Sequence, residues 1–179
     1  MHKINTLVLL TIISLLISCA QPEPRRPTSH ASDSYLEQSV MLNKYINKIE
    51  HQALDIYMQR DSLATYQTSQ DGFWYKEIVS VSDELSLPVK GDRVVFEYEI
   101  QNLAGQIVYS KEELGEEEYF VDQEDLITGL QNGIKLMREG EEFLFLFPSF
   151  KAYGFTGDQV RIKSNQPLVY KVKMLKLNK

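Results

Sequence analysis

The sequence predicts an α+β domain in which a short helix packs across a buried strand, preceded in the chain by a longer amphipathic helix. The first observation is that apolar residues recur at the spacing of one helical face, at Leu126, Leu130, Ile134 and Met137. Gly140 is predicted to end this helix. The second is that every residue from Phe143 to Phe147 is apolar, which predicts a strand covered on both faces.

The composition limits the class of protein. The chain has 179 residues, of which 43% are hydrophobic and 25% are charged, as expected for one globular domain with appendages. Its 19 Lys and Arg against 25 Asp and Glu give a net charge of -6, which excludes nucleic acid as an expected partner. The histidines His2, His30 and His51 all precede the predicted domain, so neither a metal site nor a cofactor is predicted.

Residues 1–18 are predicted to be a lipoprotein signal peptide. Lys3 precedes the apolar run Leu7–Ile17, which is too short to cross a bilayer that needs roughly 20 helical residues. The run ends in the letters LISC, similar to the bacterial signal whose cysteine is lipidated, here Cys19; an ordinary secretory signal is the alternative. Cys19 is the only cysteine, which excludes a disulfide. We expect a lipid anchor facing the periplasm, and Ala20 favours, by resemblance to sorted lipoproteins, the outer membrane of a Gram-negative bacterium.

A tether and a helix are predicted next. Residues 19–32 are polar and rich in proline, which is typical of a segment without fixed structure. Residues 33–66 are predicted to form an amphipathic helix, with apolar residues at Leu42, Ile46, Ile49, Ala53, Ile56 and Leu63. This stripe requires a partner, which is the chain's own domain, a second copy in a homodimer through residues 33–63, or a client protein.

Residues 72–179 are predicted to be the folded domain. Strands are predicted at Phe73–Val79, Val94–Gln101 and Gln106–Ser110 from their aromatic, β-branched or alternating composition. The acidic run Glu112–Glu118 is predicted to be a solvated loop, because consecutive carboxylates do not converge on one metal ion without a specific turn.

Short motifs follow one another through this domain in a characteristic order. They are Val94-Val95 leading to Tyr98, Gly105, Leu126-Ile127, Gly129, Gly133, Met137, Gly140, Ala152-Tyr153-Gly154, Gly157, Ile162 and the closing strand Leu168–Leu175. At these intervals they resemble an FKBP-type peptidyl-prolyl isomerase domain, which implies a twisted antiparallel sheet wrapped on a short helix. With the signal, the tether and the strand that begins at Gly72, the chain resembles the gliding-motility-associated peptidyl-prolyl isomerase lipoproteins.

The resemblance implies an enzyme that rotates X-Pro bonds without a cofactor. It implies catalytic contacts from the Tyr98 side chain, the Ile127 N–H and the Tyr153 hydroxyl. It implies a proline pocket formed by Val108, Leu126, Leu130, Ile162 and Tyr170, with Leu130 as the floor. The expected substrates are exported proteins that contain proline, including gliding-motility or secretion components. The alternative is a weakly active or inactive chaperone or binding module for exported clients.

The chain also departs from the family pattern. Val108-Tyr109 stands where the most active members have Phe-Asp, so the usual carboxylate is missing from that position. Leu130 replaces the usual tryptophan floor, and the usual aromatic residue before the helix falls at or near Glu117. A leucine buries less apolar area, at about 25 cal/mol per Å². We therefore expect slow isomerisation and weak macrolide binding.

Overall fold

The computed structural model describes residues 31–61 and 65–179. The predicted signal peptide, Cys19, most of the tether and Leu63 lie outside these residues. The chain divides into two compact units, 1–38 and 39–179, and all contacts given below lie within the second. No helix in the described part of the chain is both long enough and apolar enough to span a membrane.

The described residues form three helices and seven strands. The helices are α1 (Ala31–Arg60), α2 (Lys111–Leu114) and α3 (Thr128–Ile134), and a 3-10 turn covers Ser149–Lys151. The strands are β1 (Gln67–Thr68), β2 (Trp74–Val79), β3 (Arg93–Asn102), β4 (Ile107–Tyr109), β5 (Glu116–Phe120), β6 (Glu142–Phe147) and β7 (Leu168–Asn178). All neighbouring strands are antiparallel, in the order β1-β2-β6-β7-β3-β4, and β5 also pairs with β3. This is the predicted α+β architecture.

The apolar strand β6 is covered on both faces, as predicted. On one face Phe143, Phe145 and Phe147 belong to the main core together with Leu130 and Ile134 of α3. On the other face Leu146 packs with Val169 of β7 and Leu54 of α1, all with no exposed surface. Each face therefore has its own helix, and a six-residue strand joins the two cores.

Two glycines let α3 lie directly on the aromatic side chains of β6. A methyl group added at Gly129 would lie 2.6 Å from Phe147, and one at Gly133 would lie 3.0 Å from Phe145. Neither ring has room to give way, because both are buried in the core. The close approach brings the first turn of α3 against the sheet, which positions the residues around its N-terminus.

Three predictions about local structure are wrong. The short helix ends at Ile134 rather than near Gly140. Met137 is still buried, but it lies in the turn after the helix, where its N–H donates to the Ile134 carbonyl. The acidic run is not a loop, because it forms α2 and most of β5. The predicted stripe of α1 is not its docking face: Leu42, Ile49 and Ile56 are exposed, whereas Glu50 and Leu54 are buried. The docking face includes a carboxylate, which the apolar pattern could not reveal.

Candidate active site

A cleft of about 430 Å³ opens between the sheet and the N-terminus of α3. Its lining residues are Tyr98, Glu117, Asp125, Leu126, Ile127, Leu130, Tyr153 and Tyr170. The structure thus brings six of the predicted site residues together from four separate parts of the chain. Val108 and Ile162 lie elsewhere, and Cys19 is outside the described residues.

The base of the cleft is apolar and consists of side chains packed into the core. Leu130 is 2% exposed and Tyr170 is 1% exposed, so each presents only a small surface to the cleft. The Tyr170 ring stacks on Tyr98 with centroids 5.7 Å apart and meets Phe147 edge-on at 5.2 Å. These aromatic contacts fix the back wall through ordinary core packing.

Ile127 occupies the N-cap of α3. Its φ of -56° and ψ of 137° are non-helical, and its carbonyl accepts hydrogen bonds from the N–H groups of Leu130 and Gln131. The Gln131 side chain also donates to the Leu126 carbonyl at 2.8 Å, which holds the chain just before the cap. The Ile127 N–H precedes the helical hydrogen-bond ladder, so it is a donor that a ligand in the cleft can use.

Three tyrosine hydroxyl groups meet in the cleft. Burial raises the pKa of Tyr170 above its ordinary value, and the adjacent Tyr153 raises it further. Burial likewise raises the pKa of Tyr98, with a further contribution from the neighbouring Glu117 carboxylate. The phenols of Tyr98 and Tyr170 therefore remain protonated at neutral pH and keep their capacity to donate hydrogen bonds.

Glu117 and Asp125 were not predicted as site residues. Glu117 lies in β5 opposite Phe96 of β3 and is partly buried beside the Tyr98 hydroxyl. Asp125 is exposed just before Leu126. In the part of the chain that the structure describes, neither carboxylate forms an ion pair. The sequence signal was Glu117 at the place of the usual aromatic residue.

Val108 and Ile162 contribute to the surroundings of the cleft rather than to its lining. Val108 is half-buried and lines a neighbouring polar groove, where its carbonyl accepts a hydrogen bond from Arg161 Nη1 at 3.0 Å. Ile162 is 3% exposed and belongs to the main core. Both residues therefore help to hold the loop after Tyr153, Val108 through its hydrogen bond to Arg161 and Ile162 through the core.

A carboxylate supplied by that loop meets Tyr109. The Tyr109 hydroxyl donates to Asp158 Oδ2 at 2.5 Å, and the Arg161 guanidinium lies 4.6 Å from the Tyr109 ring centre. Arg161 in turn forms a bidentate pair with Glu113 at 2.7 and 2.6 Å. Tyr109 thus ties β4 to the loop through an acid that sequence reasoning missed.

The hydrogen bonds to Asp158 outweigh the cost of its partial burial. Desolvation alone would raise the pKa of Asp158, but the Tyr109 hydroxyl and the N–H groups of Val160, Ile162 and Arg161 lower it to about 2. The carboxylate is therefore ionised at neutral pH and organises the loop as an acceptor. Among residues 31–61 and 65–179, no cluster of His, Cys, Asp and Glu could hold a metal ion.

Comparisons with known proteins agree on one family. Residues 86–175 match the FKBP-type peptidyl-prolyl cis-trans isomerases. The probable FKBP-type peptidyl-prolyl cis-trans isomerase FkpA of Neisseria meningitidis is 32% identical over 111 residues, which cover 62% of this chain and 40% of that relative. The match therefore spans less than half the length of this relative.

Solved structures confirm the predicted fold class. A peptidyl-prolyl cis-trans isomerase from Pseudomonas syringae pv. tomato superposes with a TM-score of 0.60 and 20% identity, over 76% of this chain and 96% of that one. The N-terminal domain of FKBP42 from Arabidopsis thaliana gives a TM-score of 0.58 and 18% identity, over 65% and 94%. At these identities the likeness concerns the fold.

We expect Asp158→Asn to destabilise the protein at neutral pH but much less in strong acid. The folded-state pKa of about 2 lies below the usual 3.8, so between these values the unfolded chain binds more protons. The stability from Asp158 is complete above about pH 4 and is lost as the pH falls through about 2. Urea unfolding at about pH 7, 4 and 2 measures this, and a difference between wild type and variant that did not shrink in acid would contradict it.

Proposed function

The chain belongs to the family of FKBP-type peptidyl-prolyl cis-trans isomerases, and on that premise we propose that it catalyses rotation about X-Pro bonds. The observation that supports this most directly is the convergence of six predicted site residues on one cleft with an apolar base. Rotation must break amide resonance against a barrier of about 18–20 kcal/mol, and it needs no bond to a protein atom. The cleft contains apolar side chains that can bind a proline ring and polar groups that can donate hydrogen bonds to the peptide. Rotation about an X-Pro bond requires no further catalytic group.

Catalysis follows from tighter binding of the twisted amide than of the planar one. The proline ring packs on Leu130 and Tyr170, where the charge-separated planar amide is poorly solvated. The Ile127 N–H donates to one substrate carbonyl, and the Tyr153 hydroxyl donates to another. Tyr98 holds the back wall through its stacked ring. Together these contacts orient the peptide while the imide bond turns.

The rate is low in this proposal. Leu130 offers less apolar area than an aromatic floor, and Glu117 brings a partly buried carboxylate to the same cleft. A more polar cleft solvates the planar amide better, which reduces the gain on twisting. The same two features weaken the binding of macrolides.

A client-binding module with little isomerase activity is the second candidate. Its support is the apolar surface of the loop around the cleft, where Phe150 is 48%, Phe155 is 74% and Val160 is 79% exposed. Such side chains suit the capture of unfolded segments of exported proteins. The absence of catalysis together with suppression of client aggregation would favour it.

The proposed setting is the periplasmic face of the outer membrane, with a lipid anchor on Cys19. The proposed clients are exported proline-containing proteins such as gliding-motility or secretion components.

A homodimer through residues 33–63 is also proposed. Its support is the exposed apolar surface of α1 at Val40, Met41, Leu42, Tyr45 and Ile49. Light scattering of the detergent-solubilised full chain distinguishes a dimer from a monomer.

The wild type is expected to accelerate cis-trans relaxation of a proline peptide above the rate in buffer. Tyr153→Phe should lower kcat/KM about tenfold, the effect of losing one hydrogen bond of about 1.4 kcal/mol. Ile127→Pro should have a similar effect, because it removes the proposed donor while the native φ of -56° suits proline. Ile127→Val keeps the N–H and serves as the control. A wild-type rate equal to that of buffer would exclude the enzyme.

Glu117 is expected to make the enzyme favour a basic residue next to proline. A partly exposed ion pair of about 0.5–1 kcal/mol predicts a 2–5-fold higher kcat/KM for Lys-Pro than for Glu-Pro peptides, and less at high salt. Glu117→Gln should abolish the preference, whereas Glu116→Gln removes the same charge from an exposed side chain outside the cleft. Equal preferences in the two variants would count against a role for Glu117.

Cys19→Ser is expected to release the protein from the membrane. The mutation removes the thiol that carries the proposed lipid, and each buried CH₂ contributes about 0.8 kcal/mol to membrane binding. Cell fractionation with radiolabelled palmitate measures both the partition and the label. A Cys19→Ser protein that stayed in the membrane fraction would rule out this anchor.

A further inference from the structure

A buried carboxylate outside the cleft joins α1 to the loop that carries Tyr153. Glu50 is 4% exposed and Ser149 is 3% exposed, although the two residues are 99 positions apart in the chain. The Ser149 N–H donates to Glu50 Oε2 at 2.7 Å, and the Ser149 hydroxyl donates to Oε1 at 2.6 Å. Burying a carboxylate is costly unless its oxygens accept hydrogen bonds, and here both oxygens do.

Ser149 also forms hydrogen bonds with the residues on either side of Tyr153. Its carbonyl accepts the N–H of Ala152 at 2.9 Å and the N–H of Gly154 at 2.7 Å. All three polar groups of Ser149 are thus in use, two towards α1 and one towards the backbone that flanks Tyr153. A shift of Ser149 would therefore move the position of the Tyr153 side chain.

The two ends of this connection are held firmly. On the side of α1, Leu54 is fully buried against Leu146 and Val169, one helical turn after Glu50. On the side of the cleft, the Lys151 carbonyl would lie 2.9 Å from a methyl group at Gly129, so the 3-10 turn rests against the first turn of α3. That turn of α3 begins at the Ile127 N-cap. The 3-10 turn therefore fixes Tyr153 relative to the other proposed donor.

We propose that Glu50 is a positioning residue for catalysis, which sets the Tyr153 hydroxyl through Ser149. The proposal rests on the proposed isomerase function. It makes α1, which precedes the domain in sequence, a part of the support of the active site. The oxygens of Glu50 touch neither substrate nor cleft, so its effect on the reaction is indirect.

The first test compares substitutions at Glu50 in the full chain. Glu50→Ala removes both acceptors, and we expect kcat to fall about tenfold with a smaller change in KM. Glu50→Gln should restore most of the activity, because its amide oxygen can accept the Ser149 N–H and its NH₂ can donate to Ser149 Oγ. Asp55→Ala is the matched control, since it removes an exposed carboxylate from the same helix.

A double-mutant cycle separates positioning from general loss of stability. If Glu50 acts through Tyr153, the substitution Glu50→Ala should change kcat less than about twofold in a Tyr153→Phe background. Effects of the two substitutions that multiply independently would overturn the proposal. Should Glu50→Ala fail to fold, Ser149→Ala carries the same cycle, because it removes only the hydroxyl bond and leaves the backbone bond.

Amide hydrogen exchange tests the connection between Glu50 and the Tyr153 loop without a measurement of isomerase activity. Glu50→Ala should accelerate exchange at Ala152 and Gly154 at least tenfold relative to the amides of β7, whereas Asp55→Ala should not. Unchanged exchange at both amides would overturn the inference. A wild type without isomerase activity would instead refute the proposed function, and the exchange result would still decide whether Glu50 holds the loop.

Discussion

The site depends on how closely α3 lies against β6. At Gly129 and Gly133 the helix backbone rests on the rings of Phe147 and Phe145, with no room for a methyl group at the first position. A glycine in a helix costs about 1 kcal/mol relative to alanine, and the two aromatic contacts offset that cost by close packing. The first turn of α3 carries the Ile127 N–H and the Leu130 floor. The distance between α3 and β6 therefore sets both the depth of the cleft and the position of the Ile127 N–H.

The Glu117 carboxylate lines the cleft, whereas the Asp158 carboxylate lies outside it beside Tyr109. The Tyr109 hydroxyl donates to Asp158, which lies in the loop after Tyr153. The Asp158 carboxylate is held by backbone N–H groups and by Tyr109, and it does not line the cleft. Glu117 places a different carboxylate in the cleft, beside the tyrosine hydroxyls.

Helix α1 divides into a packed part and an exposed part. From Glu50 onward it docks on the sheet, through one buried carboxylate and through Leu54. Before Glu50 its apolar side chains are mostly exposed, and this is the surface on which the proposed homodimer depends. The helix thus packs against the chain's own domain through residues other than the predicted stripe. The docked part also brings the segment that precedes the domain into contact with the active-site loop.

Local sequence pattern determined the apolar strand at Phe143–Phe147 and the presence of a short helix after Leu126. Six of the cleft residues were predicted from the resemblance of short motifs to a known family. These features depend on periodicity and on short motifs that are read within a few residues. Tertiary structure alone decided that Glu117 faces the cleft, because strand pairing with β3 set its orientation. It also decided that Met137 is buried from a turn and that Glu50 binds Ser149. A hydrogen bond across 99 residues leaves no periodic signal in the sequence, since only the folded chain brings its two ends together.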